Sequence, residues 1–188
     1  MSRRPPEADH SPWTVLDTRH VYENAWIRIE EDEVINPSGG RGIYGRVCFA
    51  NLAVGIIPVS DDGHTWLVGQ WRYPLERWSW EIPMGGVPLA EDPEDGARRE
   101  LAEETGLSAR DLQRLVEVDL SNCVSDERGV VFVATGLHPG EARPDDTEQL
   151  TLWRLPLADA IAMARRGEIR DALSVIGLLS LAARTDPA

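Results

Sequence analysis

Short apolar segments, separated by turn-forming residues, fill most of the chain before residue 84. They are rich in β-branched residues, a composition typical of β-strands. We therefore predict strands at Ala25–Ile35, Ile43–Phe49, Leu52–Val59, Thr65–Tyr73 and Trp78–Met84. The sequence Asp61-Asp62-Gly63 has turn chemistry and lies between the third and fourth segments, which predicts that these two strands form a hairpin.

A helix is predicted over Pro93–Thr105. Asp92 is a favourable N-cap residue, and proline fits the first helical position. Gly106 can adopt the left-handed conformation that ends a helix. Ala97 and Leu101 form an apolar stripe, which we expect to hold the helix against a sheet.

The remainder of the chain alternates between strands and helices. Strands are predicted near Leu115–Leu120, Val130–Ala134 and Leu150–Leu155, and helices near Leu157–Arg166 and Ala172–Arg184. This order predicts an α/β (α+β) fold in which helices flank a mixed sheet. We interpret residues 13–188 as a single domain, and residues 1–12, which carry three prolines and two arginines, as a flexible tail.

Charge and composition narrow the possible partners. The 188-residue chain has 32 acidic and 19 basic side chains and a net charge of −13, which disfavours nucleic-acid binding. No apolar run approaches the roughly 20 residues of a membrane span, and residues 1–12 do not have the character of a secretory signal. We therefore expect a cytoplasmic protein with no membrane partner. Cys48 and Cys123 are predicted to be buried free thiols.

Three glutamates, Glu100, Glu103 and Glu104, project from one side of the predicted helix. Like charges at this spacing destabilise a helix by a few tenths of a kcal/mol per pair, and a divalent cation would offset that repulsion. Arg99 lies four residues before Glu103 and could orient it by an ion pair. A solvated helix face is the alternative interpretation. That alternative must also account for Glu91 and for glycines at fixed distances from the glutamates.

The segment 85–107 resembles the Nudix box, G-x5-E-x7-R-E-U-x-E-E-x-G-U, where U is a bulky apolar residue. Its nine fixed positions are all filled, by Gly85, Glu91, Arg99, Glu100, Leu101, Glu103, Glu104, Gly106 and Leu107. The resemblance implies an α/β/α sandwich around a mixed sheet and hydrolysis of a nucleotide pyrophosphate. It also implies that Glu100, Glu103 and Glu104 are catalytic residues that hold Mg²⁺ or Mn²⁺, with the backbone carbonyl of Met84 as a further ligand.

Flanking motifs resemble the branch of this family that hydrolyses ADP-ribose and nucleoside diphosphate sugars. Residues 70–74 and 80–86 are similar to its Q-x-R-x-P and W-E-x-P-x-G-G runs, and residues 167–172 to its C-terminal segment. The resemblance implies that Arg72 contacts substrate phosphate and that Glu81 lies near substrate or metal. A surface ion pair is the alternative role for Arg72.

One departure concerns residues 121–127, which keep the S-D-E of the ADP-ribose enzymes but lack their proline and glycine. A related nucleoside diphosphate sugar is therefore at least as plausible a substrate as ADP-ribose. Glu127 is a candidate contact to a ribose hydroxyl, although an exposed loop carboxylate is the alternative. Trp26, Tyr44 and Trp78 are candidates for an aromatic surface that stacks on a base or sugar.

The resemblance also implies a water-activating carboxylate from a loop before a late strand. Glu148 and Asp146 are the candidates here, and Glu103 is the alternative. The branch generally forms homodimers through exchanged N-terminal strands, which would correspond to residues 13–50.

Other functions stay open at this point. A non-catalytic sensor of nucleotide sugars belongs to a different functional class, and an eroded box would favour it. Dinucleoside polyphosphates, coenzyme A and oxidised nucleotides are alternative substrates for the same chemistry.

Overall fold

The computed structural model describes residues 10–142 and 149–185. Their contacts divide into two compact units. The N-terminal unit contains the described residues up to Ala50 together with Ser121–Asp126, and the C-terminal unit contains Asn51–Leu120 and the described residues from Glu127 onward. The tail over residues 1–12 lies mostly outside the described residues. The interpretation of residues 13–188 as one domain stays a prediction.

The N-terminal unit is built on a three-stranded antiparallel sheet. Its strands are β1 (Thr14–Glu23), β2 (Ile27–Ile35) and β3 (Arg41–Phe49), in the order β1-β2-β3. At its centre the buried Asp32 carboxylate accepts hydrogen bonds from the Thr18 hydroxyl (2.7 Å) and from Arg46 Nε (3.0 Å). These contacts connect all three strands, and they satisfy a carboxylate that would be costly to bury unpaired.

The C-terminal unit contains seven strands and three α-helices. They are β4 (Asn51–Pro58), β5 (His64–Arg72), β6 (Arg77–Glu81), β7 (Met84–Pro88), α1 (Pro93–Thr105), β8 (Leu107–Asp119), β9 (Arg128–Pro139), β10 (Thr151–Pro156), α2 (Leu157–Arg165) and α3 (Ala172–Thr185). The strands form a four-stranded mixed sheet, β7-β4-β9-β8, and a three-stranded antiparallel sheet, β10-β5-β6.

The predicted hairpin of β4 and β5 is wrong. The tight turn is present, since the Gly63 N–H donates to the Ser60 carbonyl at 2.9 Å. The two strands nevertheless enter different sheets: β4 pairs antiparallel with β7 and parallel with β9, and β5 pairs with β6 and β10. A turn reverses the chain, but it does not decide which strand edge supplies the partner hydrogen bonds.

The predicted strand Trp78–Met84 is likewise two strands. β6 ends at Glu81, and β7 begins at Met84 in the other sheet. Pro83 interrupts the ladder because it has no N–H to donate, so the chain crosses from one sheet to the other at this point. Strands β8 and β9 are also longer than predicted, since their solvent-facing halves carry polar residues that hide the strand pattern.

The helix signals are confirmed. α1 spans Pro93–Thr105, the Asp92 carboxylate accepts a hydrogen bond from the Glu94 N–H (2.8 Å), and Gly106 has a φ of +70°. Ala97 and Leu101 are completely buried, as the apolar stripe predicted.

Two apolar clusters hold helices on opposite faces of the four-stranded sheet. Val54 and Ile56 of β4 belong to the cluster under α1, whereas Ile57 belongs to the cluster under α2 and α3. This alternation places helices on both sides of mixed β-structure, which confirms the predicted fold class.

The two cysteines are free thiols, as predicted. Cys48 is buried, but Cys123 is exposed, so its predicted burial is wrong. Cys123 lies in a turn whose neighbouring residues Ser121, Asn122 and Val124 are also exposed, so nothing in this segment buries the thiol. Among the described helices, none is long and apolar enough to cross a membrane.

Candidate active site

The carboxylates of α1 lie directly against the backbone of β7. Glu104 is only 5% exposed, and its Oε2 accepts a hydrogen bond from the Met84 N–H at 2.9 Å. A Cβ added to Gly85 would lie 2.1 Å from the carboxyl carbon of Glu100. Only glycine therefore allows this approach, and the helix brings two acidic side chains to one point on the strand.

Arg99 connects the carboxylates of the box. Its Nη1 lies 2.7 Å from Glu100 Oε1 and 3.2 Å from Glu103 Oε2, and its Nη2 lies 3.8 Å from Glu91 Oε2. Partial burial lowers the pKa of Arg99, but the hydrogen bond to Glu100 and the surrounding carboxylates raise it by more, so the net pKa is above its usual value. The guanidinium thus stays charged and offsets the repulsion among the glutamates.

A hard divalent cation suits the chemistry of these donors, since carboxylate oxygens are the ligands that Mg²⁺ and Mn²⁺ prefer. Within residues 10–142 and 149–185, however, no three His, Cys, Asp or Glu side chains are grouped closely enough to enclose an ion. Arg99 binds Glu100 and Glu103 in this arrangement, so a cation would compete with the guanidinium for them.

Arg72 and Glu81 form a two-point ion pair beside the box. Arg72 Nε lies 2.9 Å from Glu81 Oε1, and Nη2 contacts Glu81 Oε2. The Glu81 side chain is only 3% exposed and that of Arg72 is 37% exposed, so the pair is buried at its carboxylate end and partly open at its guanidinium end. Its hydrogen bond raises the pKa of Arg72, burial lowers it, and the charges of Glu81, Asp171 and Glu104 raise it further. The pair therefore lies within electrostatic range of the box.

The structure also brings in Asp171 and Ser174, to which the sequence analysis gave no role. The fully buried Ser174 hydroxyl donates to Asp171 Oδ2 (2.7 Å) and accepts from the Ile82 N–H (2.9 Å). A signal was available, because an aspartate directly before a predicted helix and a serine three residues later is a common N-terminal capping arrangement. The pattern predicts the cap but not the contact with Ile82.

Glu127 is half-buried rather than exposed. Burial raises the pKa of its carboxyl group, and the negative charge of Asp171 raises it further. Arg72, Glu81, Glu104, Asp171 and Glu127 thus belong to one charged cluster in the C-terminal unit.

The remaining candidate residues are distributed differently. Trp26 (68% exposed) and Tyr44 belong to the N-terminal unit, where the Tyr44 hydroxyl donates to the Cys123 carbonyl at 2.6 Å. Trp78 belongs to β6 and packs edge-on against Trp80, with 6.0 Å between ring centroids. Asp146 and Glu148 lie outside the described residues.

Comparison with known proteins places the chain in a family. Residues 50–174 match the NUDIX domain, and residues 13–47 match the nucleoside diphosphate sugar hydrolase N-terminal domain. The chain belongs to the NUDIX domain family of hydrolases, whose members generally need divalent metals.

Similar proteins include enzymes that act on adenosine diphosphate compounds. An ADP-ribose pyrophosphatase of Mycobacterium tuberculosis is 33% identical over 183 residues, which cover 95% of this chain and 86% of that protein. A methanol dehydrogenase activator of Bacillus methanolicus is 30% identical over 165 residues, 87% of this chain and 89% of that protein. The crystal structure of an ADP compounds hydrolase superposes with a TM-score of 0.83 at 24% identity, covering 95% of this chain and 96% of that one, which shows the shared fold.

The raised pKa of Glu127 makes a prediction about stability. A carboxyl group whose pKa is raised on folding contributes stability below its unfolded pKa, near 4.5, and this contribution is lost as pH rises through the folded value. Between pH 4.5 and pH 7, the free energy of unfolding should therefore fall less for Glu127→Gln than for the wild type. Urea denaturation at a series of pH values measures this difference. Glu33→Gln, at an exposed position, is the control. Parallel pH profiles for Glu127→Gln and the wild type would contradict the prediction.

Proposed function

We propose that this chain is a divalent-metal-dependent hydrolase of the pyrophosphate bond in ADP-ribose or a related nucleoside diphosphate sugar. The products would be a nucleoside monophosphate and a sugar phosphate. The observation that carries the proposal is the pair Glu100 and Glu104, held against the Met84-Gly85 backbone beside the Arg72–Glu81 pair. The relative named ADP-ribose pyrophosphatase supports the substrate class.

In this proposal Glu100, Glu103 and Glu104, with the backbone carbonyl of Met84, hold Mg²⁺ or Mn²⁺. A bound ion would neutralise phosphate charge that the glutamates alone would repel, and it would polarise the phosphorus. Glu100 and Glu103 would release Arg99 in order to bind the ion. The contact of Arg99 with Glu91 would keep the guanidinium near the site. Gly85, Glu91, Arg99 and Gly106 have structural roles in the box.

Arg72 is proposed to bind substrate phosphate. Glu81 accepts hydrogen bonds from its Nε and Nη2, which fixes the plane of the guanidinium. Arginine has five N–H donors, and those on Nη1 are suited to a phosphate oxygen. Because Glu81 is buried and keeps Arg72 charged, the pair presents an oriented cation next to an otherwise acidic cluster.

The other substrate contacts are proposed by residue type. Glu127 would accept a hydrogen bond from a ribose hydroxyl, and its half-buried position fits a group that contacts a ligand rather than bulk water. Trp26 and Tyr44 would present aromatic faces to the base or sugar. The departure at residues 121–127 keeps the sugar and the base open.

A substrate panel tests the proposal. ADP-ribose, ADP-glucose, GDP-mannose, UDP-glucose, a dinucleoside polyphosphate and coenzyme A are each incubated with Mg²⁺ or Mn²⁺ and assayed by phosphatase-coupled phosphate release. We expect metal-dependent turnover of at least one nucleoside diphosphate sugar. Glu104→Gln should lower kcat/KM at least about a hundredfold, because the metal stabilises the transition state by several kcal/mol.

Two comparisons make the panel decisive. Glu94→Gln, on the first turn of α1, is the matched control and should keep near-wild-type turnover, since Glu94 pairs with Arg98 outside the site. Binding of a nucleotide sugar without turnover of any compound would favour the alternative of a non-catalytic sensor. If only coenzyme A or the dinucleoside polyphosphate is hydrolysed, nucleoside diphosphate sugars are excluded as the substrate class and that compound takes their place.

We propose further that Glu148 or Asp146 activates the attacking water, with Glu103 as the alternative. Glu148→Gln, Asp146→Asn and the double variant test this. General base catalysis is typically worth 10²–10⁴, so at least one of these variants should lose about a hundredfold in kcat. A loss smaller than about tenfold in all three would exclude a loop base and favour Glu103.

A homodimer formed through the N-terminal strands, residues 13–50, is also proposed. All ten residues of β1 are exposed in the single chain, and Val15 (56%) and Ile43 (69%) leave apolar surface uncovered. Apolar surface of this kind marks association sites.

Light scattering coupled to size exclusion should therefore give about twice the chain mass of 20.9 kDa. Ile43→Glu should shift the protein toward the monomer, because a charge would be buried in the interface. Leu89→Glu, at an exposed apolar position (59%) outside residues 13–50, is the matched control. A monomeric mass for the wild type would exclude the dimer.

The cytoplasmic location and the lack of a nucleic-acid or membrane partner stay predictions.

A further inference from the structure

The linker between β6 and β7 is anchored on several sides. It consists of Ile82 and Pro83 and ends at Met84, where β7 begins. The Pro83 carbonyl accepts a hydrogen bond from the Ile56 N–H at 2.8 Å, and the Met84 N–H donates to Glu104 Oε2 at 2.9 Å. The linker is thereby tied to β4 and to α1.

The third anchor is Ser174 on α3. Its Oγ accepts the Ile82 N–H at 2.9 Å, and both Ser174 and Ile82 are completely buried. The hydroxyl proton and the backbone N–H of Ser174 both point to Asp171 Oδ2, at 2.7 and 2.8 Å. Because the Ser174 hydroxyl donates its hydrogen bond to Asp171, a lone pair of Oγ is left to accept the Ile82 N–H.

The anchored residue lies between two parts of the site. Glu81, the partner of Arg72, directly precedes Ile82, and Met84, the partner of Glu104, follows two residues later. Any shift of Ile82 would change the separation between the Arg72–Glu81 pair and the carboxylates of α1. A misplacement of about 1 Å in an active site can cost about a hundredfold in rate.

We propose that Ser174, oriented by Asp171, is a positioning residue that sets the distance between the phosphate-binding arginine and the metal-binding glutamates. This inference rests on the proposed function for its catalytic consequence. Its structural part, the anchoring of Ile82, does not depend on turnover. Neither residue touches the reacting atoms in this proposal, since Ser174 acts through the backbone of the linker.

The test compares two variants of nearly equal shape. Ser174→Thr keeps the hydroxyl, whereas Ser174→Val replaces it with a methyl group, so any strain from the added volume is shared by both. Ser180→Ala, on the same helix, is the control. Three quantities are measured: amide hydrogen exchange at Ile82, the Mg²⁺ concentration for half-maximal activity, and kcat/KM on the best substrate of the panel.

We expect Ser174→Val to exchange the Ile82 amide at least about tenfold faster than Ser174→Thr. Its kcat/KM should be at least about tenfold lower, and its half-saturating Mg²⁺ concentration at least about threefold higher. Ser180→Ala should match the wild type in all three measurements. If Ser174→Thr keeps values close to those of the wild type, the effects of Ser174→Val come from the lost hydroxyl and not from the packing of the side chain.

The outcomes separate this inference from the proposed function. Equal Ile82 exchange in the threonine and valine variants would overturn the anchoring. Faster exchange in Ser174→Val with unchanged kcat/KM and Mg²⁺ dependence would overturn the positioning role. Wild-type protein that turns over nothing in the panel would instead contradict the proposed function, while the exchange data would still report on the Ile82 anchor.

Discussion

The contact between α1 and β7 is the constraint on which the rest of the site depends. Glu100 lies so close to Gly85 that a Cβ there would clash with its carboxylate, and Glu104 accepts the Met84 N–H, so acidic side chains face the backbone of a strand. Burying such groups is costly unless they are paired or hydrogen-bonded. The apolar cluster beneath Ala97 and Leu101 supplies the packing that holds the helix in this position.

Arginines control the charge around this contact in two different ways. Arg99 is half-buried and shared among several carboxylates, so its contacts can be exchanged one at a time. Arg72 is tied by two bonds to the single buried carboxylate of Glu81, so its orientation is fixed. The first arrangement suits a place where a ligand must displace the cation, and the second suits a place where the cation itself receives the ligand.

Sequence reasoning predicted the local features well and the long-range pairing poorly. The limits of α1, its Asp92 cap and its apolar stripe follow from short-range rules, whereas the motif at residues 85–107 was identified by its resemblance to a known family. The partners of β4 and β5 did not follow, because pairing is decided by residues far apart in the chain. Ser174 was missed for the same reason: its contact with Ile82 joins positions on β-structure and α3 that no local pattern relates.

The parallel pairing of β4 with β9 has a consequence for how the chain folds. Val54 pairs with Val130, so β4, one of the two central strands of the four-stranded sheet, gains this partner only after β5 to β8 and α1 have been synthesised. Non-local pairing of this kind slows folding, because the entropy of closing the long loop is lost before the contacts form. During synthesis β4 and β7 can pair early, while the edge of β4 meant for β9 stays open. A nascent chain is therefore most exposed to misassociation in the interval before β9 leaves the ribosome.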